Sequence, residues 1–99
     1  MAAVGDGYFI SESNSDDGTT TIQPASGHEI KLQYVLHVGS GRLDIYDGTN
    51  TIVAASNTVG NCWFGQSIIL SNTTYAIYTN LSGGTQTVSC HGVYTKVTA

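Results

Sequence analysis

Apolar and polar residues alternate along most of this chain, and turn-forming residues interrupt the alternation at intervals of roughly 8–12 positions. In the clearest segment every second residue is apolar: Ile30, Leu32, Tyr34, Leu36 and Val38. A period of two places successive side chains on opposite faces of a β-strand. We therefore expect a central strand that turns these five side chains toward a core.

The rest of the chain divides in the same way. Further strands are predicted over residues 8–10, 19–23, 43–46, 51–55, 67–70, 75–79 and 85–97. Asp47-Gly48 gives the strongest turn signal, because both residues tolerate positive φ. Segments 11–18 and 56–65 are predicted as loops, the first of them mobile. About eight strands and no helix predict an all-β, jelly-roll-like sandwich that forms a single domain over residues 1–99, with residues 1–7 as an N-terminal arm.

Charged residues are few and mostly acidic. The net charge of −4 comes from seven acids against Lys31, Arg42 and Lys96. Three scattered cations cannot form the basic stripe that follows a phosphate backbone or an anionic lipid surface. No apolar run approaches the roughly 20 residues that span a bilayer, and Met1–Asp6 lacks the features of a secretory signal. The sequence therefore predicts neither a nucleic-acid partner nor a membrane partner.

The sequence contains two cysteines, Cys62 and Cys90. Two are too few for a disulfide framework, and their separation matches no zinc motif. Because no secretory signal is predicted, we expect two reduced and buried thiols. A single bridge is the alternative, and it would require an oxidising compartment or an extracellular particle.

Histidines and acidic pairs are the candidates for chemistry. No two of His28, His37 and His91 have the i, i+2 or i, i+4 spacing that presets a pair of metal ligands, so we expect surface or interface histidines. Asp16-Asp17, and Asp44 with Asp47, could bind calcium or act as glycosidase carboxylates, but no activated nucleophile accompanies them. The sequence predicts no catalytic residue, no metal site and no cofactor.

The adjacent rings of Trp63 and Phe64 lie in a segment bounded by glycines, Gly60 and Gly65. Three interpretations stay open. The rings plug one end of the core, anchor another subunit, or stack on a sugar. Tyr46 and Tyr94 are further candidates for sugar stacking.

Two resemblances are carried by short motifs. Leu43–Gly48 resembles the strand and turn of CUB domains, but the four-cysteine pattern of that family is absent. A longer series is similar to small β-sandwich proteins of tailed bacteriophage virions, including capsid decoration proteins. Its segments are Gly18–Pro24, Gly27–Glu29, Tyr46–Asn50, Asn72–Tyr75, Asn80–Gly83 and Gly92–Lys96. This second resemblance implies a non-enzymatic, repeated virion component.

We therefore expect an accessory virion protein, made in the host cytoplasm, that stabilises a head by binding the major capsid protein or other virion subunits. It would bind as a homo-oligomer, with trimers as the working assumption. The expected partner-binding residues are Ala2, Ala3, Val4, Tyr8, Trp63 and Phe64. The alternative is a carbohydrate-binding module, or a tail or fibre protein that recognises host glycans.

Overall fold

The computed structural model describes residues 3–37, 40–57, 62–64 and 68–98. These residues form nine strands: β1 (Gly7–Asn14), β2 (Thr19–Ile22), β3 (Glu29–His37), β4 (Gly41–Tyr46), β5 (Thr51–Asn57), β6 (Cys62–Phe64), β7 (Ile68–Ser71), β8 (Tyr75–Asn80) and β9 (Gln86–Lys96). In this part of the chain no helix is long and apolar enough to cross a membrane.

The strands form two antiparallel sheets that share one core. The first sheet has the order β1-β9-β3-β6, with β7 also paired to β3, and the second has the order β2-β8-β4-β5. Because β6 and β7 pair with successive segments of β3, they fill a single strand position between them. Counted in this way, the fold has two four-stranded sheets. The chain crosses between the sheets in jelly-roll order. The predicted all-β, jelly-roll-like sandwich is confirmed.

Both sheets contribute alternate side chains to the core. It consists of Ile22, Ile30, Leu32, Val35, Leu43, Ile45, Leu70, Ala76, Tyr78, Val88 and Cys90. Truncating a fully buried member such as Leu32 to alanine would cost about 2–5 kcal/mol, a large part of the roughly 5–15 kcal/mol by which small domains are stable.

The central strand β3 departs from strict alternation. Its register against β9 shifts between Leu32 and Tyr34, so that Gln33 is an extra residue. A bulge of this kind reverses the face of every side chain that follows it. Val35 is therefore buried while Tyr34 and Leu36 are exposed. The prediction that Tyr34 and Leu36 face the core is wrong, and Val38 lies outside the described residues.

Two segments predicted as loops contain strands. β1 continues through the polar residues 11–14, which pair with residues 86–89 of β9. Backbone hydrogen bonds make this ladder, so alternate serines that face solvent do not interrupt it. Within segment 56–65, β5 extends to Asn57 and Cys62–Phe64 pairs with β3 as β6.

The loop that follows β1 is joined by hydrogen bonds to the β8–β9 loop, and its mobility stays a prediction. Asn80 is fully buried, and its Nδ2 donates to the carbonyl oxygens of Asn14, Ser15 and Gly84 at 2.8–3.1 Å. The backbone N–H of Asp17 donates to the carbonyl oxygen of Asn80 at 2.8 Å. One buried amide thus joins the β1–β2 loop to the β8–β9 loop.

Candidate functional site

The N-terminal arm runs along the end of β9. The N–H of Gly5 donates to the carbonyl oxygen of Tyr94, and the N–H of Tyr94 donates to that of Asp6, both at 2.9 Å. Ala3 and Val4 are exposed, as a partner-binding role requires. Ala2 lies outside the described residues.

Tyr8 is half-buried and contributes to the fold, and its partner-binding role stays a prediction. Its ring packs against the core and contacts Tyr94 edge-on, with 5.7 Å between the ring centroids. Burial, with smaller contributions from Cys90 and Tyr94, raises its pKa to about 12. The exposed ring of this strand is that of its neighbour Phe9, which the sequence reasoning passed over.

Trp63 and Phe64 belong to β6. Their backbones pair with those of Leu36 and Val35 in β3. This places both residues at one edge of the first sheet. Their side chains lie outside the described part of the structure, so the three interpretations of these rings stay predictions.

The outer face of the first sheet carries a cluster that we call the outer-face patch. Its members are Phe9, Tyr34, Leu36, Ile69, His91 and Val93. Phe9, Tyr34, Leu36 and Ile69 rank among the exposed large hydrophobic residues, and Phe9 is 73% exposed. They come from four adjacent strand positions on one face of the sheet, where exposed Lys31 lies between Ile69 and Val93.

Strand register creates an aromatic row at the centre of this patch. His91 is the partner of Phe9 on one side and of Tyr34 on the other. The rings of Phe9 and His91 stack, with centroids 5.0 Å apart and planes 16° apart. The rings of Tyr34 and His91 are tilted by 58° at 5.7 Å. The bulge in β3 is essential here, because it turns Tyr34 outward to meet His91.

The patch contains little charge. Lys31 is paired with Ile69 and Val93 on this face, and Glu29 and Lys96 lie at its end, 4.0 Å apart. One sequence signal indicates part of this: between Asp47 and Lys96, the stretch that contains Ile69, His91 and Val93, the chain has no acidic, lysine or arginine residue. That stretch supplies β5 to β9 almost entirely.

A second exposed apolar site lies on β5, at the edge of the second sheet. Ile52 and Val53 are both 59% exposed, and β5 contains no charged residue and no proline. A register shift in the β4–β5 ladder leaves Ala54 unpaired, a bulge that blunts an open edge against strand addition. This edge therefore offers a small apolar contact.

The acidic residues considered for chemistry have local structural partners. Asp44 Oδ2 accepts from Arg42 Nε at 3.1 Å. Asp47 Oδ1 accepts from the N–H of Asn50 and from that of Thr49, and these bonds lower the pKa of Asp47. Together with the positive φ of 97° at Gly48, these bonds confirm the predicted tight turn.

Neither the other acidic pair nor the histidines form a metal centre in the part of the chain that the structure describes, where no group of three or more His, Cys, Asp or Glu residues comes together. Asp16 Oδ1 accepts from the N–H of Gly83. His28 Nε2 lies 3.1 Å from the carbonyl oxygen of Thr98, and His91 belongs to the outer-face patch. The side chain of His37 lies outside the described residues.

The thiol of Cys90 is free and buried, and burial raises its pKa to about 11. Cys62 lies in β6, and β3 runs between that strand and β9. Strands two positions apart are separated by roughly 9–10 Å, beyond the ~7 Å between Cα atoms that a disulfide tolerates. This placement supports the prediction that the two cysteines are not bridged.

Comparisons with known proteins identify the fold. No family model matches the sequence, and no curated protein matches it. The nucleoplasmin-like N-terminal domain of Drosophila FKBP39 aligns with a TM-score of 0.56 at 11% identity, over 94% of this chain and 92% of that one. The core of Drosophila NLP, whose structure addresses pentamer formation and histone binding, aligns at 0.50 and 11% identity over 87% and 96%.

The cupin domain of Drosophila melanogaster CENP-C aligns with a TM-score of 0.50 at 13% identity, over 87% of this chain. The match covers 55% of the CENP-C chain, so the present protein spans just over half the length of that chain. Identities this low show a shared β-sandwich fold, and the partners of those proteins do not transfer.

Proposed function

We propose that this protein is a non-enzymatic structural protein that docks onto a larger protein assembly through the outer-face patch. The observation that carries this proposal is the aromatic row in which exposed Phe9 and Tyr34 contact half-buried His91, with exposed Leu36 and Ile69 on the same face. Aromatic anchors concentrate binding energy at protein interfaces, and charged residues are depleted at interface centres.

The size of the face supports docking. Four strand positions about 4.8 Å apart and about nine residues long give a face of roughly 600 Å², against the ~800 Å² that each partner buries in a standard interface. Its exposed apolar side chains contribute roughly 400 Å², within the range of patches that are often functional. Burying them is worth about 10 kcal/mol before the cost of association, which is of similar size. Repeated copies would make such binding durable.

The assembly we propose is a tailed-phage virion, on which the protein acts as an accessory head protein that contacts the major capsid protein. The resemblance of the sequence to small virion sandwiches supports this assignment, as does the long stretch without charge. Neighbouring copies would form a trimer. They would meet through the small apolar contact at Ile52 and Val53 and through Trp63 and Phe64.

The test uses particles purified from a phage whose copy of this gene is deleted. Added protein should sediment with the particles and saturate at a fixed copy number. Phe9→Ser should abolish binding while leaving the thermal melt unchanged, because Phe9 is exposed. Leu81→Ser, which removes an apolar side chain that is 42% exposed elsewhere, is the matched control. Equal binding by wild type and Phe9→Ser, or no binding at all, would refute the proposal.

Glycan recognition is the second candidate function. Stacking of a sugar on Tyr46 or Tyr94 is less well supported than docking through the outer-face patch. Tyr94 contacts both Tyr8 and His28 edge-on, and Tyr46 contacts Tyr75 edge-on at 5.6 Å. These contacts engage the tyrosine rings that were expected to form stacking platforms. A different location supports sugar binding better.

A further inference from the structure

A small open cleft lies at the end of the sandwich where β3 begins and where β7 and β9 end. Its walls are the turn before β3 (residues 26–29), the turn after β7 (residues 71–73) and Lys96, and its volume is about 230 Å³. No member of the outer-face patch lines it. The cleft adjoins the end of that patch, where Glu29 and Lys96 lie.

Hydrogen bonds fix the two walls relative to each other. Gln23 Nε2 donates to the carbonyl oxygen of Asn72 at 2.8 Å, and Asn72 Nδ2 donates to that of Pro24 at 3.1 Å. Within the second wall, Ser71 Oγ accepts from the N–H of Thr74 at 3.1 Å. The cleft is therefore already formed before any ligand enters, which lowers the entropic cost of binding.

The polar groups of the cleft include one carboxylate and one ammonium. Glu29 Oε2 and Lys96 Nζ are 4.0 Å apart, beyond the 2.7–3.2 Å of a direct hydrogen bond. Both side chains are partly exposed, so each retains hydrogen-bonding capacity. The lining also includes the hydroxyl groups of Ser26, Ser71 and Thr73, the amide of Asn72 and the imidazole of His28.

This combination selects a class of ligand. An anion such as phosphate would meet the carboxylate of Glu29, and a metal cation would meet the ammonium of Lys96. A neutral molecule with adjacent hydroxyl groups satisfies both, because one hydroxyl donates to Glu29 while the next accepts from Lys96. The volume is below the 300–1,000 Å³ of sites for drug-sized ligands, which favours one small ring.

We propose that this cleft binds a single neutral sugar residue, held between Glu29 and Lys96 by its adjacent hydroxyl groups. An open site for a ligand of this size gives a dissociation constant on the order of millimolar. Binding of that strength becomes effective when many copies are displayed together, since several sites then engage one glycan surface.

The test is an NMR titration of the isotope-labelled full chain with the methyl glycosides of glucose, galactose and mannose and with N-acetylglucosamine. We expect at least one sugar to give saturable shifts at residues 26–29, 71–73 and 96. Glu29→Gln and Lys96→Gln should each weaken that binding about tenfold, the size of one lost charge-assisted hydrogen bond. Lys31→Gln, which removes an exposed lysine outside the cleft, should leave it unchanged.

The same spectra report whether each variant is folded. If Glu29→Gln or Lys96→Gln is unfolded, the other variant tests the proposal. The proposal is overturned if no sugar saturates, if the shifts lie outside the cleft, or if inorganic phosphate or calcium chloride perturbs these residues more strongly than any sugar. Particle docking by Phe9 is measured separately, so failure of either proposal leaves the other standing.

Discussion

The buried amide of Asn80 makes a strong prediction about stability. Its side chain is fully buried. The two N–H groups of Nδ2 serve three backbone carbonyl oxygens, so one N–H is shared between two of them, and Oδ1 accepts from the N–H of Ser82 at 2.9 Å. Replacing Asn80 with alanine leaves those backbone groups without their side-chain partner at the end of the sandwich where two loops meet.

The expected loss of unfolding free energy is the sum of the contributions of the hydrogen bonds that the substitution removes. A hydrogen bond contributes about 1 kcal/mol net, and a buried group left unsatisfied costs about 1–3 kcal/mol. Four affected backbone groups, two of which share one N–H, therefore predict a loss of about 3–4 kcal/mol in unfolding free energy, once water reaches the partly exposed carbonyl groups. For a domain of this length each kcal/mol shifts the melting temperature by about 4–8 °C, so Asn80→Ala should melt at least ~12 °C lower.

Urea titration at constant pH measures this directly, with Asn72→Ala as the matched control. Asn72 also donates from Nδ2, but it makes one such bond, at 3.1 Å to Pro24. We expect the control to lose about 1 kcal/mol or less, with an unchanged slope in both variants. If Asn80→Ala loses no more than the control, Asn80 does not hold the two loops together.

Three further outcomes follow from the same structure. Gly92→Ala should lose about 1–3 kcal/mol in urea titration, because its Cβ would come within 2.7 Å of a β3 carbonyl oxygen, whereas Gly84→Ala, with open space around it, should be neutral. In a Cys62→Ser background, Cys90 should react with a thiol reagent at pH 8 at the rate of unfolding, and rapid reaction would show that it is not buried. Burial of Tyr8 should contribute stability that is complete below about pH 10 and is lost as the pH rises toward about 12, so Tyr8→Phe should flatten that part of the pH profile.

Much of the fold could be predicted because it depends on local rules. Alternation located every strand except β6, and the Asp47-Gly48 turn formed as its φ preferences require. The errors arose where backbone pairing overrides side-chain pattern. The extra residue Gln33 reverses the face of Tyr34, and no single sequence marks such a bulge.

The candidate site was harder to predict, because strands distant in sequence assemble it. Phe9 and His91 belong to opposite ends of the chain and become neighbours through the β1–β9 register. Phe9 was not predicted as a binding residue because two aromatic residues, Tyr8 and Phe9, are adjacent in β1. The sequence does not show which of the two faces solvent. The long stretch without charge contains Ile69, His91 and Val93 but not Phe9, Tyr34 or Leu36, so it indicated only part of the patch.

The most direct test of the docking proposal is hydroxyl-radical footprinting of the free protein and of the protein bound to virus particles. Phe9 and Tyr34 should be oxidised readily in the free protein, and their oxidation should fall to the level of buried rings on the particle. Leu81 should be oxidised equally in both states. If Phe9 and Tyr34 stay as reactive on the particle as in solution, the outer-face patch is not the docking surface.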